Sequence, residues 1–314
     1  MTQRPSKPTR ERTAMNIVAF SGALELGFLY GIVALGIYLS FRVLDFPDLT
    51  VDGSFPLGGA IAATLMSQGT DPIVALLVAT LAGAVAGLCT AFLNVRFKIL
   101  NLLASILTMI ALYSINLRIM GKANVALLDK PTIFKTFNTL IQSLPEPIPT
   151  FGSAILLGII AIGFKLLLDR FLKSQLGLAM RATGANPTMA QAQGISTGHL
   201  ILLGMALANA FAALGGALFA QLNGFADVGM GIGTIIFGLA AVIIGETVFD
   251  RLSITQATLG AILGSILYRI VVAIALSLDF LGLQAQDLNL ITAILVTIAL
   301  ILPNGIAKLY QKIN

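Results

Sequence analysis

Long runs of apolar residues are the feature that most limits the folds open to this chain. They predict helices near the following positions: 15–40, 54–67, 71–95, 99–120, 149–169, 198–219, 231–249, 256–277 and 286–303. A helix needs about 20 apolar residues to cross the core of a bilayer, and most of these runs have that length. The alternation typical of a membrane β-barrel is not seen. The sequence therefore predicts an all-α polytopic membrane protein with about 8 to 10 transmembrane or re-entrant helices.

Composition supports a membrane environment and excludes nucleic acid as a partner. Hydrophobic residues make up 57% of the chain and charged residues 11%, whereas a soluble protein has about 25% charged residues. The net charge is +5, but the basic residues are grouped at the two termini, near 96–98 and near 170–181. Cytoplasmic flanks of membrane spans collect Lys and Arg in this way. We therefore expect membrane lipid around the chain and no nucleic acid.

Enzymatic chemistry has little support in the sequence. The single histidine is His199 and the single cysteine is Cys89, so multi-His metal sites, His-based triads and an internal disulfide are excluded. No phosphate-binding motif of the Gly-x-x-x-x-Gly-Lys-Ser/Thr type occurs. We expect no catalytic residue, no metal and no cofactor bound by this chain. If ATP drives its function, another protein must hold the nucleotide.

Two polar interruptions in the apolar pattern resemble each other. Phe46-Pro-Asp48 recurs 179 positions later as Phe225-Ala-Asp227, and Gly36 and Gly215 have the same offset. The order of these matches predicts two similar halves, with a transport pathway at the interface between the halves or between subunits. The polar residues at the interruptions are candidates for helix breaks or for the pathway: Asp45, Asp48, Asp52, Gly53, Asp227 and Gly229.

Three roles are open to these carboxylates. An Asp can accept hydrogen bonds from the free N–H groups at the start of a helix, which would be structural. It can line the solute path or contact a binding protein. Alternatively, the cluster of Asp45, Asp48 and Asp52 could couple transport to an ion in a secondary carrier.

Residues 177–194 form a polar insert between two apolar runs. Arg170, Lys173 and Arg181 lie in or beside it, which places it on the cytoplasmic side by the positive-inside rule. A short helix bounded by Gly184 and Gly194, with Asn186 as its N-cap and Pro187 in its first turn, fits the capping preferences of these residues. The alternative is an ordinary solvated loop.

The insert resembles the coupling loop of permeases in ATP-binding-cassette (ABC) importers, in the branch that carries branched-chain amino acids and simple sugars. The resemblance rests on the following residues: Gly177, Arg181, Ala182, Gly184, Asn186, Pro187, Ala190 and Gly194. A second stretch, Phe41–Gly59, is similar to a narrower group that accompanies a lipoprotein-like solute-binding protein and an ATPase.

The resemblance implies one transmembrane permease domain over residues 1–314, made of the following parts: a cytoplasmic tail 1–14, a first half 15–169, a cytoplasmic coupling loop 170–197, a second half 198–303 and a cytoplasmic tail 304–314. This topology treats the run 54–67 as re-entrant. If every run crossed the membrane, the N-terminus would lie outside.

The resemblance also implies partners. Two permease copies would form the pore in the inner membrane of a prokaryote. Two ATPase subunits carrying ATP–Mg would bind the coupling residues, and an extracytoplasmic protein would deliver the solute. Amino acids are the favoured solute, followed by sugars and nucleosides. The alternative to this ABC permease is the ion-coupled secondary transporter.

Overall fold

The architecture comes from a computed structural model that describes residues 9–128, 130–143, 145, 148–248, 253–277, 294 and 297. Eleven helices lie within these residues: α1 Thr9–Ile37, α2 Val51–Ser67, α3 Pro72–Phe97, α4 Asn101–Met120, α5 Ile133–Ile141, α6 Gly152–Lys173, α7 Gln175–Ala185, α8 Pro187–Ala192, α9 Thr197–Asn223, α10 Thr234–Val248 and α11 Ile254–Ser277. A π-helical turn, Tyr38–Val43, extends α1. Two short strands, β1 Asn124–Ala126 and β2 Phe225–Asp227, pair antiparallel.

The predicted all-α membrane fold is confirmed. Six of the described helices are long and apolar enough to cross a membrane, and α10 is a shorter apolar helix. Eight of the nine predicted helices have a counterpart, and of the run 286–303 the structure describes residues 294 and 297 alone. The sequence did not predict α5 or the strand pair, because α5 and β1 lie in the polar connection between α4 and α6, and β2 lies in the short connection between α9 and α10.

The two longest helices are α1 and α9, and each packs mainly against helices of the other half of the chain. Gly27 and Gly31 bring α1 against Ile266 and Ile262 of α11. Gly83 brings α3 against α9, where an added methyl group would meet the backbone carbonyl of Asn209. Small residues at such crossings let two backbones approach closely, which favours helix association in lipid. The two halves are therefore packed into one body.

The first half begins at the end of the bundle opposite to residues 170–197. Ser21 Oγ, near the start of the apolar span that begins at Ile17 within α1, donates a hydrogen bond of 2.9 Å to the carbonyl oxygen of Thr150, just before α6 begins. The other end of α1 lies beside α7, since Gly184 packs on the carbonyl group of Val43. Between Ser21 and Val43 the helix rises about 33 Å, enough to cross a bilayer core. We call the end with residues 170–197 the proximal end and the other end the distal end.

The direction of α2 bears on the predicted topology. The run 54–67 is predicted to be re-entrant, and α2 carries the chain from the break after Val43 to the distal end, where Gln221 Nε2 of α9 donates to the carbonyl of Pro72 at 3.1 Å. The cytoplasmic location of residues 1–14 and of residues 170–197 stays a prediction. The predicted tail 304–314 lies outside the described residues.

Candidate functional site

Two helices of the proximal end, α7 and α8, are joined at Asn186. We call them together the proximal segment. Asn186 Oδ1 accepts a hydrogen bond of 3.0 Å from the backbone N–H of Met189, and Pro187 occupies the first turn of α8. The helix ends at Gly194, which has φ +80°, and the N–H of Ile195 returns to the carbonyl of Ala190 at 3.0 Å. Gly permits this left-handed C-terminal conformation at little cost. The cap, the Pro and the Gly thus lie where the sequence predicted the short helix.

The residues singled out in this segment face in different directions. Arg181, Pro187 and Met189 are exposed, and Met189 keeps 61% of its surface accessible. Gly177 and Ala190 are buried, and Ala182 is half-buried. Gly177 sits against the carbonyl group of Phe171, which permits the tight turn from α6 into α7. Ala190 therefore supports the segment from inside, and Arg181 and Met189 present its outer surface.

The segment is in direct contact with the break between α1 and α2. We call residues 44–50 the first break. Leu44 and the Met180 side chain both lie over Gly204 of α9, and Gly184 packs on Val43. An open cavity of about 580 Å³ lies between the segment and the break, and its lining includes Arg42, Asp45 and Arg181. A displacement of α7 would therefore act on the first break without an intermediary.

Asp48 is the centre of a buried polar network at the first break. Its Oδ1 accepts a hydrogen bond of 2.9 Å from the N–H of Thr50, and its Oδ2 accepts one of 2.7 Å from Asn209 Nδ2. Asn209 Oδ1 accepts in turn from Ser54 Oγ at 2.8 Å, and the hydroxyls of Thr50 and Thr90 lie 2.7 Å apart. Asp48 is fully buried, so these bonds replace its hydration. The network ties the first break to α9 of the second half.

Asp52 stabilises the start of a helix in the other half. It lies in the first turn of α2, but its Oδ1 accepts from the N–H of Ile235 at 2.8 Å and its Oδ2 from that of Gly233 at 3.2 Å. These N–H groups belong to the unpaired first turn of α10, where a negative charge is favourable. Gly231 allows the contact, because it packs directly on the carbonyl group of Asp52.

The remaining interruption residues occupy separate places. Asp45 is exposed, with φ +52° at the turn of the first break. Gly53 lies against Leu112 of α4. Asp227, in β2, accepts from the N–H of Gly229 at 2.8 Å and from Asn124 Nδ2 at 3.4 Å. Among the described residues, no group of three or more His, Cys, Asp or Glu side chains could hold a metal ion.

The sequence analysis missed two buried polar clusters. Asn209 looked like an isolated polar residue in an apolar helix, and only its contacts reveal the role. Arg269 of α11 is the centre of the second cluster. Its guanidinium carbon lies 4.2 Å from the ring centre of Tyr30 and 5.1 Å from that of Phe237, which are cation–π distances. The aromatic character of α1 and α10 at these depths was the available signal.

Comparison with known proteins connects this arrangement to transport. The family model described as branched-chain amino acid transport system / permease component matches residues 19–302. A tyrosine transport system permease protein of Clostridioides difficile is 40% identical over 91% of this chain and 94% of its own length. An uncharacterized protein of Rickettsia prowazekii is 33% identical over 88% of this chain and 95% of its own length.

A more distant relative comes from an archaeon. The probable branched-chain amino acid transport permease protein LivH of Methanocaldococcus jannaschii is 27% identical over 63% of this chain and 64% of its own length. No solved structure matches the chain. The family match includes the first break and residues 170–197. The chain therefore belongs to the branched-chain amino acid transport system permease family and is a multi-pass transport permease of the inner membrane.

Proposed function

We propose that this chain is the transmembrane subunit of an ABC importer and forms the path of an amino acid by alternating access. The observation that carries the proposal is the direct packing of the exposed α7–α8 segment on the first break, at Gly184 and Val43. A soluble motor that moves this segment would move the break. Family membership supports the same assignment.

In this proposal, the ATPase binds the outer surface of the segment. Arg181 offers a charge-assisted hydrogen bond to an acidic group of the ATPase, and Met189 offers an apolar contact. ATP–Mg belongs to the ATPase. Two copies of this chain, two ATPase subunits and an extracytoplasmic solute-binding protein complete the importer. The proximal end is then cytoplasmic, in agreement with Arg170, Lys173 and Arg181 around the segment.

The named relatives suggest the class of solute. One is described as a tyrosine permease and another as a probable branched-chain amino acid permease. We therefore propose an amino acid with an uncharged side chain, and tyrosine and leucine are the first solutes to test.

An ion-coupled carrier is the less supported alternative. It would need Asp45, Asp48 and Asp52 to share one ion. Asp48 instead bonds Thr50 and Asn209, while Asp52 bonds the start of α10. Both carboxylates already have donors from the protein, and Asp45 is exposed. Nothing in this geometry favours a shared coupling ion.

The first experiment tests dependence on an ATPase. The chain is reconstituted in liposomes alone and together with an ABC-type ATPase and a solute-binding protein of the same organism, and uptake of labelled tyrosine and leucine is measured. We expect uptake only when the ATPase, the solute-binding protein and ATP are all present. Uptake by the chain alone on a sodium or proton gradient would overturn the proposal in favour of the carrier.

The second experiment separates ATPase binding from transmission. Arg181→Glu should reduce ATPase co-purification about tenfold, which corresponds to about 1.4 kcal/mol of binding free energy. Lys122→Glu, the same charge reversal on an exposed residue of the distal end, is the control and should have no effect. Gly184→Ala places a methyl group on the Val43 carbonyl and should leave ATPase binding intact while uptake falls. Equal binding and uptake in all three variants would show that the segment is only a connector.

A further inference from the structure

The outward face of α6 changes abruptly from aliphatic to basic near its proximal end. Exposed aliphatic residues follow one another at helical spacing, and two exposed cations continue the same stripe: Ile155, Ile159, Ile162 and Leu166, then Arg170 and Lys173. The aliphatic part extends about 16 Å along the helix axis. An apolar stripe that ends in cations is suited to a lipid whose tail lies along the helix and whose headgroup is negative.

The neighbouring helix α11 presents a matching stripe. It runs antiparallel to α6, and its exposed aliphatic residues begin one turn after Thr255: Leu259, Leu263, Leu267 and Val271. Thr258 Oγ1 donates to Asp169 Oδ1 at 2.5 Å and so holds the two helices together at the proximal end. Thr255, one turn earlier on α11, lies at the level of the two cations of α6. Two aliphatic stripes therefore converge on one polar site.

That site is an open groove of about 610 Å³ lined by the following described residues: Leu166, Asp169, Arg170, Lys173, Ser174 and Thr255. The carboxylate of Asp169 does not make the groove acidic. Its Oδ2 lies 2.7 Å from Lys165 Nζ, and both side chains are more than nine-tenths buried. The buried pair is neutral overall, and Arg170 and Lys173 leave the described part of the groove with two positive charges.

We propose that this groove binds the phosphate headgroup of one anionic phospholipid, with an acyl chain along Leu166. Arg170 and Lys173 supply the charge, and the hydroxyl of Thr255 can donate to a phosphate oxygen. Basic pockets between membrane helices on the cytoplasmic side favour anionic headgroups in this way. A protein partner is less suited, because the aliphatic stripes continue well into the depth of the bilayer. The inference depends on the membrane location and not on the ABC assignment.

The absence of tryptophan from the chain allows a direct test. A single Leu166→Trp variant is placed in phosphatidylcholine vesicles that contain phosphatidylglycerol, with bromine on the acyl chains of one lipid or the other. Phe92→Trp is the matched control, because Phe92 is also exposed and also lies four residues before an arginine at a proximal helix end. Brominated phosphatidylglycerol should quench Leu166→Trp with about a fivefold preference, and Phe92→Trp without preference.

Charge variants then identify the headgroup ligands. Combined with Leu166→Trp, Arg170→Gln/Lys173→Gln should abolish the preference, while Arg96→Gln/Lys98→Gln, with the same loss of charge at the same membrane side, should keep it. Thermal unfolding of each variant in detergent verifies the fold. The preference for brominated phosphatidylglycerol could instead be equal at Leu166 and Phe92, or be lost equally in both double variants. Either result would show that it arises from general surface charge and would overturn the proposed site. Resistance of Leu166→Trp to quenching by both lipids would show that protein covers the groove, and would also overturn it.

Discussion

The two breaks in the chain use the same local turn in opposite surroundings. At the first break, Asp48 accepts from the N–H two residues later and from the amide of Asn209. At the second, residues 224–233, Asp227 accepts from the N–H two residues later and from the amide of Asn124. Both are turns in which an Asp side chain replaces a backbone acceptor. Asp48 is fully buried between α1 and α9, whereas Asp227 is partly exposed on the antiparallel strand pair β1–β2.

The comparison separates turn formation from helix joining. An Asp is sufficient to form the turn in either place. Both copies also bond an amide that is distant in sequence, 161 positions later at Asn209 and 103 positions earlier at Asn124, but only the bond of Asp48 is short and buried. The same substitution should therefore have unequal effects at the two breaks.

The largest effect is expected for Asp48→Leu. It leaves the N–H of Thr50 and the amide of Asn209 without an acceptor in a buried site, which should lower the free energy of unfolding by about 3 kcal/mol. Asp227→Leu loses the turn bond from the N–H of Gly229 and the longer bond from Asn124, both near solvent, and should cost about 1 kcal/mol. Thermal unfolding of both variants in the same detergent compares them. Equal destabilisation would show that burial does not distinguish the breaks.

A smaller effect is expected for Asp52→Ala. The substitution removes the acceptor of two N–H groups at the start of α10 and should cost about 2 kcal/mol, at the upper end of the range for helix caps. Asp71→Ala is the control, because Asp71 makes the same kind of cap on α3 in an exposed position and should cost about 1 kcal/mol. A larger loss at Asp71 would contradict a special role for the contact between α2 and α10.

The conservative change to Asn tests whether charge matters at either break. An amide has one acceptor oxygen, so Asp48→Asn keeps one of two bonds and should cost about 1 kcal/mol, while Asp227→Asn should be close to neutral. Both variants should still support uptake if the side chains only form turns. Loss of uptake in a stably folded Asn variant would instead assign the charge to a coupling ion or a cationic solute.

The smallest effect is expected at the edge of the first break. Arg42 forms an ion pair with Glu246 of α10, but half of its side chain is exposed. Arg42→Gln should therefore change stability by less than about 1 kcal/mol. A shift as large as that of Asp48→Leu, measured in the same thermal assay, would mean that the first break is held to the second half mainly by this surface ion pair.

Helix existence could be predicted from the sequence because length and apolarity determine it locally. The membrane helices and the cap at Asn186 follow from such local rules. Topology was harder, because the direction of every later helix depends on whether α2 crosses. Its run of apolar residues was too short to decide this, and the structure shows that α2 is enclosed by α3, α4 and α9, which reduces the lipid-facing length that it needs.

The candidate site could be predicted only in part for a related reason. The offset between Phe46 and Phe225 located both breaks, since each depends on a short local pattern. The burial of Asp48 depends on packing with helices that are distant in sequence. The residues around Asn209 in α9 do not indicate that its partner is Asp48. Ala190 shows the same limit, because its burial follows from contact with α9 and not from the polar sequence around it.

The distance in sequence between Asp48 and Asn209 also orders the biogenesis of the protein. A ribosome adds about 5 to 20 residues per second, so about 8 to 32 seconds separate the synthesis of the two residues. During that interval Asp48 and α2 have been made, but Asn209, whose amide pairs with the Asp48 carboxylate, has not. The insertion machinery must therefore hold or shield the start of α2 until α9 enters the membrane. The first half of this permease completes its fold only after much of the second half has been made.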